Sequence, residues 1–238
     1  MTDRKSPGNN LKSLFNGEAL RNVFSDRART NLLKKQEQIA ILWLVKRIPS
    51  YITSNMLTGI GLFGNVIVSA SFILAAYFSR LFLLLGLIGF FISWFGDSLD
   101  GRLAYFRNIP RKNYGFTLDI TIDWMSIILI GFGYMFYAEG AWILLGYGFV
   151  VLYGLEMIIA LLRYKITGKY SIDSGKLGPT EVRIVVSLIM IAEVLLPGSL
   201  NYSACFVVVV LFFVNIIDTR SLLRVADDID KQERQEKT

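Results

Sequence analysis

Residues 81–104 read LFLLLGLIGFFISWFGDSLDGRLA, and this stretch decides the fold. No charge interrupts it between Arg80 and Asp97, after which two aspartates stand one helical turn apart. As an α-helix it would run about 36 Å, more than the roughly 30 Å hydrocarbon core of a bilayer. It is apolar all round and not along one stripe, so lipid is its natural solvent. Five more runs of this kind flank it, at 56–78, 116–138, 141–162, 183–200 and 203–222. The expected fold is an all-α membrane protein of six transmembrane helices, preceded by an N-terminal cytoplasmic amphipathic helical segment.

Composition agrees, since 53% apolar residues and a mean hydropathy of +0.48 are high for a soluble chain of 238 residues. Lysine and arginine give the orientation. Twenty-four of the 25 lie in residues 1–50, after the second span, between the fourth and fifth, or in the tail, which leaves only Arg80 for the other side. The positive-inside rule then places both termini and the aspartates in the cytoplasm of a multi-pass integral membrane protein. The basic balance suits an anionic lipid surface, and no nucleic-acid partner is needed to explain it.

Three regions follow: a cytoplasmic juxtamembrane segment at 1–50, a six-helix catalytic domain at 51–224 and a polar cytoplasmic tail at 225–238. In the first, Leu11, Leu14, Phe15, Leu20, Val23 and Phe24 recur among basic residues, and Leu32, Leu33, Ile39, Leu42 and Trp43 do the same beside Lys34 and Lys35. Both stretches are expected to lie on the cytoplasmic leaflet. No signal-peptide pattern opens the sequence, so insertion is expected to rely on the first span.

Histidine is absent, which excludes a Ser-His-Asp triad, a histidine base and histidine-ligated zinc within these residues. Cys205 is the single cysteine and is expected to pack in the last span.

The chemistry gathers on four aspartates. Asp97 and Asp100 are i, i+3, and Asp119 and Asp123 are i, i+4, so each pair shares a helix face. The short connection predicts antiparallel neighbours presenting these faces to each other. A carboxylate at mid-membrane costs roughly 2.5–3.5 kcal/mol, less near the interface, and four repel one another, so a purely structural origin is disfavoured. An all-oxygen carboxylate site suits Mg²⁺ or Mn²⁺, and four carboxylates on two helices suit two ions. Such ions commonly hold phosphate oxygens. Gly101 and Gly115 leave the backbone open to a ligand or a helix.

Asp97-x-x-Asp100-Gly101-x-x-Ala104, then Gly115-x-x-x-Asp119-x-x-x-Asp123, resembles the signature of the CDP-alcohol phosphotransferase family, DxxDGxxAR followed by GxxxDxxxD, with seven of eight fixed positions present. Ser54-Asn55-x-x-Thr58 is similar to a weaker Pro-Asn-x-x-Thr feature of that family, and it reads equally well as a helix cap. The resemblance implies that Asp97, Asp100 and Asp119 are the principal metal ligands. Asp123 would be the general base, also near metal, while Gly101, Ala104, Gly115, Asn55 and Thr58 would line the nucleotide site. The implied partners are a CDP-alcohol donor and a hydroxyl acceptor. A homodimer in a bacterial inner membrane, or an equivalent one, is implied with them. Whether the donor is CDP-diacylglycerol or a CDP-linked headgroup is left open by the motif.

One position departs from the pattern: Tyr105 stands where the family has arginine, and nine residues separate it from Gly115 where eight is usual. Arg107 is the expected substitute, since at about 100° per residue it falls roughly 55° from the aspartate face and Tyr105 roughly 105°. Glu181, Arg163 and Lys165 are candidates for holding the acceptor, while cap and topology roles explain them as well. Glu193 is expected at the interface. Two other readings compete: a non-catalytic relative that binds metal or nucleotide, favoured by Tyr105, and an ion-coupled transporter, which also places acids in membrane helices.

Overall fold

The computed structural model describes residues 34–168 and 179–236, and the amphipathic stretch expected at 11–24 lies outside them. Among the described residues the chain is all helical: α1 (Lys34–Val45), α2 (Ser54–Tyr77), α3 (Leu83–Phe106), α4 (Lys112–Tyr137), α5 (Ile143–Thr167), α6 (Pro179–Leu195) and α7 (Ser199–Glu236). Short 3₁₀ turns, Arg80–Phe82 and Gly140–Trp142, lead into α3 and α5.

Five helices are long and apolar enough to cross a membrane, α2, α3, α4, α5 and α7, where the sequence suggests six. The difference lies at 183–200. That apolar run crosses Pro197 and Gly198, where no helix continues: α6 stops at Leu195, Gly198 takes a φ of +92°, and α7 begins at Ser199. With 17 residues, α6 is about 25 Å long. In contrast, α7 runs 38 residues, so the polar tail continues the last span as helix.

Small residues set the packing. α2 lies against both α3 and α4. A Cβ at Gly64 would come within 2.9 Å of the Ser93 Cα, and one at Gly61 within 3.3 Å of the Asp97 amide nitrogen. Glycine here is what lets the α2 and α3 backbones touch, the usual basis of helix pairing where lipid removes the hydrophobic drive. Above and below this contact sit two apolar clusters. Val68, Phe72, Leu83, Phe90, Tyr134 and Met190 fill one, and Leu57, Leu99 and Leu103 receive Ile41 and Val45 of α1 in the other. Large side chains such as Leu188, Phe206, Phe212 and Phe213 point outward, as lipid-facing surfaces require.

Glu193 is buried, at 2% exposure. Its carboxylate accepts from the Tyr137 hydroxyl at 2.7 Å, the Gly198 amide at 2.9 Å and the Leu200 amide at 2.7 Å. It therefore closes the α6–α7 corner, satisfying amides at the start of α7 and complementing that helix end. Glu193→Ala strands these donors and the Ser199 hydroxyl, which donates at 3.3 Å, and is expected to lower stability by roughly 3 kcal/mol or more, with Glu193→Gln losing less. Thermal unfolding of detergent-purified protein checks this; equal melting of wild type and Glu193→Ala would show that the corner does not depend on the carboxylate.

Candidate active site

The helical spacing works as expected within each pair, with Asp97 and Asp100 near the end of α3 and Asp119 and Asp123 near the start of α4. Between the pairs the arrangement differs from expectation. α3 and α4 share no packed interface; each packs on α2 instead. A five-residue connection forces antiparallel order, yet the glycine-lined contact draws α3 onto α2. The consequence is a recess between α3 and α4, lined by all four aspartates and floored by α2.

α2 contributes Thr58, Gly61 and Asn65 to that lining. The cap of α2 is Thr53, whose side chain accepts from the Met56 amide, so Asn55 and Thr58 are spared for other work. Thr58 donates to Asp100 Oδ2 at 2.6 Å, and the Gly101 amide donates to Asp100 Oδ1 at 2.5 Å. Asn65 donates to the Ser126 hydroxyl of α4 at 2.7 Å, which fixes α4 against α2 one turn below Asp123. At the rim, Asn55 accepts from Arg111 at 2.5 Å and donates to the Tyr114 hydroxyl at 3.2 Å.

Gly101, Ala104 and Gly115 adjoin the lining without forming part of it. A Cβ at Gly101 or Gly115 would meet nothing within 4 Å, so packing does not require glycine at either position. Arg107 lies elsewhere. It caps α3 before the left-handed Asn108 and donates to the Ile52 carbonyl at 2.6 Å and the Pro49 carbonyl at 2.8 Å, tying the α1–α2 connection down.

The acceptor candidates are not brought together with the aspartates. Lys165 is exposed in the last turn of α5. Arg163 stands 3.7 Å from Asp218 in a separate polar set between α5 and α7, with Asn215 donating to the Leu152 carbonyl. Glu156 sits one turn before the Ala160 level of the same helix, its Oε2 buried without a hydrogen-bond partner. The side chain of Glu181 lies outside the described residues.

One residue in the recess was not anticipated. Arg183, at the second turn of α6, donates to Asp97 Oδ2 at 2.8 Å, with side-chain exposures of 18% and 31%. Its charge reads from the sequence as part of the connection before the fifth span; only the helix start at Pro179 carries it inside. Asn65, an amide within an apolar span, was a signal available in the sequence.

Chemically, the recess offers hard carboxylate oxygens and neither histidine nor thiol. That donor set fits Mg²⁺ or Mn²⁺. Among the described residues no three acidic side chains already converge on one point as a finished cation site, and Asp97 is engaged by Arg183. A family model described as CDP-alcohol phosphatidyltransferase matches residues 51–218. No curated protein matches the chain.

Proposed function

The chain belongs to the CDP-alcohol phosphatidyltransferase family, and from that membership we propose that it moves a substituted phosphate group, phosphatidyl or phospho-alcohol, from a CDP-alcohol to a hydroxyl acceptor with release of CMP, in phospholipid synthesis. The observation that carries this reading is the convergence of Asp97, Asp100, Asp119 and Asp123 on one recess between α3 and α4.

Asp97, Asp100 and Asp119 would hold Mg²⁺ or Mn²⁺, and Asp123 would share a second ion. Bound there, the cations supply charge neutralisation for the diphosphate. Asp123 takes the proton from the acceptor hydroxyl, and that oxygen attacks the phosphorus bearing the donor's alcohol. The bond from this phosphorus to the oxygen it shares with CMP breaks, and CMP departs with the electron pair. Thr58 holds Asp100 in register, and Asn55 with Arg111 and Tyr114 forms the rim where the nucleoside would rest. Open space beside Gly101 and Gly115 supports a close approach by substrate. Positioning and charge neutralisation supply most of the rate in such phosphoryl transfers.

Six crossings, with both termini and the recess cytoplasmic, complete the proposal. α6 supplies the sixth, short but spanning the same layer: Arg183 near its start meets Asp97, and Glu193 near its end meets Tyr137, the last residue of α4. Local thinning accommodates such a helix at modest cost. In a background lacking Cys205, cysteines placed in the tail and at Glu139 are expected to react with an impermeant reagent from opposite sides. Labelling from the same side would remove α6 from the spans. A homodimer in a bacterial inner membrane, or its equivalent, remains part of the proposal.

Tyr105 favours one alternative, a relative that binds nucleotide without turnover. Purified protein offered a panel of CDP-donors and hydroxyl acceptors, with products identified by mass spectrometry, separates the two. A phosphodiester accompanied by CMP supports the transferase, and nucleotide binding with no product from any pair supports the alternative.

A further inference from the structure

We infer that Arg183 grips a phosphate oxygen of the donor's diphosphate, delivering from α6 the cation that the aspartate motif lacks at Tyr105. This rests on the transferase reading. Among the described residues lining the recess, Arg183 is the one cation. Arg107 is occupied by the Pro49 and Ile52 carbonyls. Arg111 donates to Asn55 and lies over the Tyr114 ring at 4.2 Å.

A guanidinium carries five N–H donors in a planar fork. In Arg183 the bond to Asp97 uses one terminal nitrogen of that fork. Asp97 and, at longer range, Asp123 offset the burial of this charge, and the donors not taken by Asp97 suit an anionic oxygen. An unanswered group lines the same recess: the Ser93 hydroxyl, in a residue 1% exposed, has no hydrogen-bond partner among the described residues. Both groups can donate to an anionic oxygen.

The charge balance points the same way. Four carboxylates and one guanidinium leave the recess strongly negative, so a diphosphate enters only where cations meet it. A fixed fork beside Asp97 fits phosphate geometry bidentately, which a tyrosine at position 105 cannot do. As a positioning residue, Arg183 would bind the donor's phosphate and hold Asp97 at once.

Two affinities measured on detergent-purified protein test this: Mn²⁺, by loss of the free-ion resonance signal, and CDP with Mn²⁺ present, by calorimetry, with cytidine as the probe lacking phosphate. Arg183→Ala is expected to weaken CDP roughly 10–100-fold, the range of a lost charge-assisted hydrogen bond. Cytidine binding should not change. Mn²⁺ should bind as well as in wild type or more tightly, since a positive charge leaves the side of Asp97. Opposed shifts of this kind do not arise from general loss of structure. If the alanine variant fails to fold, Arg183→Gln is read by the same criteria. CDP affinity within twofold of wild type would overturn the inference and leave Arg183 a counter-ion; parallel weakening of Mn²⁺ and CDP would overturn it in favour of a scaffold for Asp97. A wild-type protein that binds no CDP and releases no CMP would instead sink the transferase reading, and this inference with it.

Discussion

Asp123→Asn is expected to slow transfer by roughly 10²–10⁴-fold, the usual range for a lost general base, while metal and donor continue to bind. Asparagine keeps the shape of aspartate and removes its charge and basicity, so the α4 face is left intact. Asp123 stands one turn beyond Asp119 and one turn before Ser126, whose hydrogen bond to Asn65 anchors this part of α4. The substitution therefore tests proton transfer and not packing. Pre-steady-state CMP release alongside donor binding is the measurement. Near-normal turnover would show that another group takes the proton, and Glu181 would be the first to examine.

Asn at Asp97, Asp100 or Asp119 is expected to fail in a different way. The first loss should be metal affinity, by roughly 100-fold or more, since even outer-shell partners are worth about 10–100-fold. Donor binding should follow, because the cation joins protein to diphosphate. At Asp100 the change also removes one of two accepted hydrogen bonds, since asparagine has a single oxygen for Thr58 and the Gly101 amide, so Mn²⁺ affinity is compared there with a melting curve. Excess Mg²⁺ should restore part of the activity at each of the three. Unchanged Mn²⁺ affinity in all three variants would contradict the ligand assignment.

Much of this was legible in the sequence because membrane helices announce themselves by length and apolarity, and helical periodicity alone pairs Asp97 with Asp100 and Asp119 with Asp123. What escaped the sequence depended on relations between helices. A short connection correctly implies antiparallel order for α3 and α4, but it says nothing of Gly61 and Gly64, whose missing side chains let α2 take the contact and open the recess. The span expected at 183–200 misjudged both ends, since hydropathy passes over Pro197 and Gly198 and does not see that a helix beginning at Pro179 carries Arg183 inward. The burial of Glu193 is hidden from the sequence because its partners, Tyr137 and Leu200, lie on other helices. Arg107 shows the limit of helical-wheel reasoning, because a residue at a helix end answers to the nearest unsatisfied carbonyls, here those of Pro49 and Ile52.

If the aspartate recess cleaves a CDP-alcohol as proposed, it does so only with a divalent cation bound. Chelator-treated protein in lipid nanodiscs, supplied with a CDP-alcohol and an acceptor, would be followed for CMP as Mg²⁺ is added. No CMP is expected before the addition, and phosphodiester and CMP in equal amounts after it, with Asp123→Asn nearly silent throughout. CMP production that proceeds unchanged in the presence of chelator, or at the wild-type rate in Asp123→Asn, would contradict it.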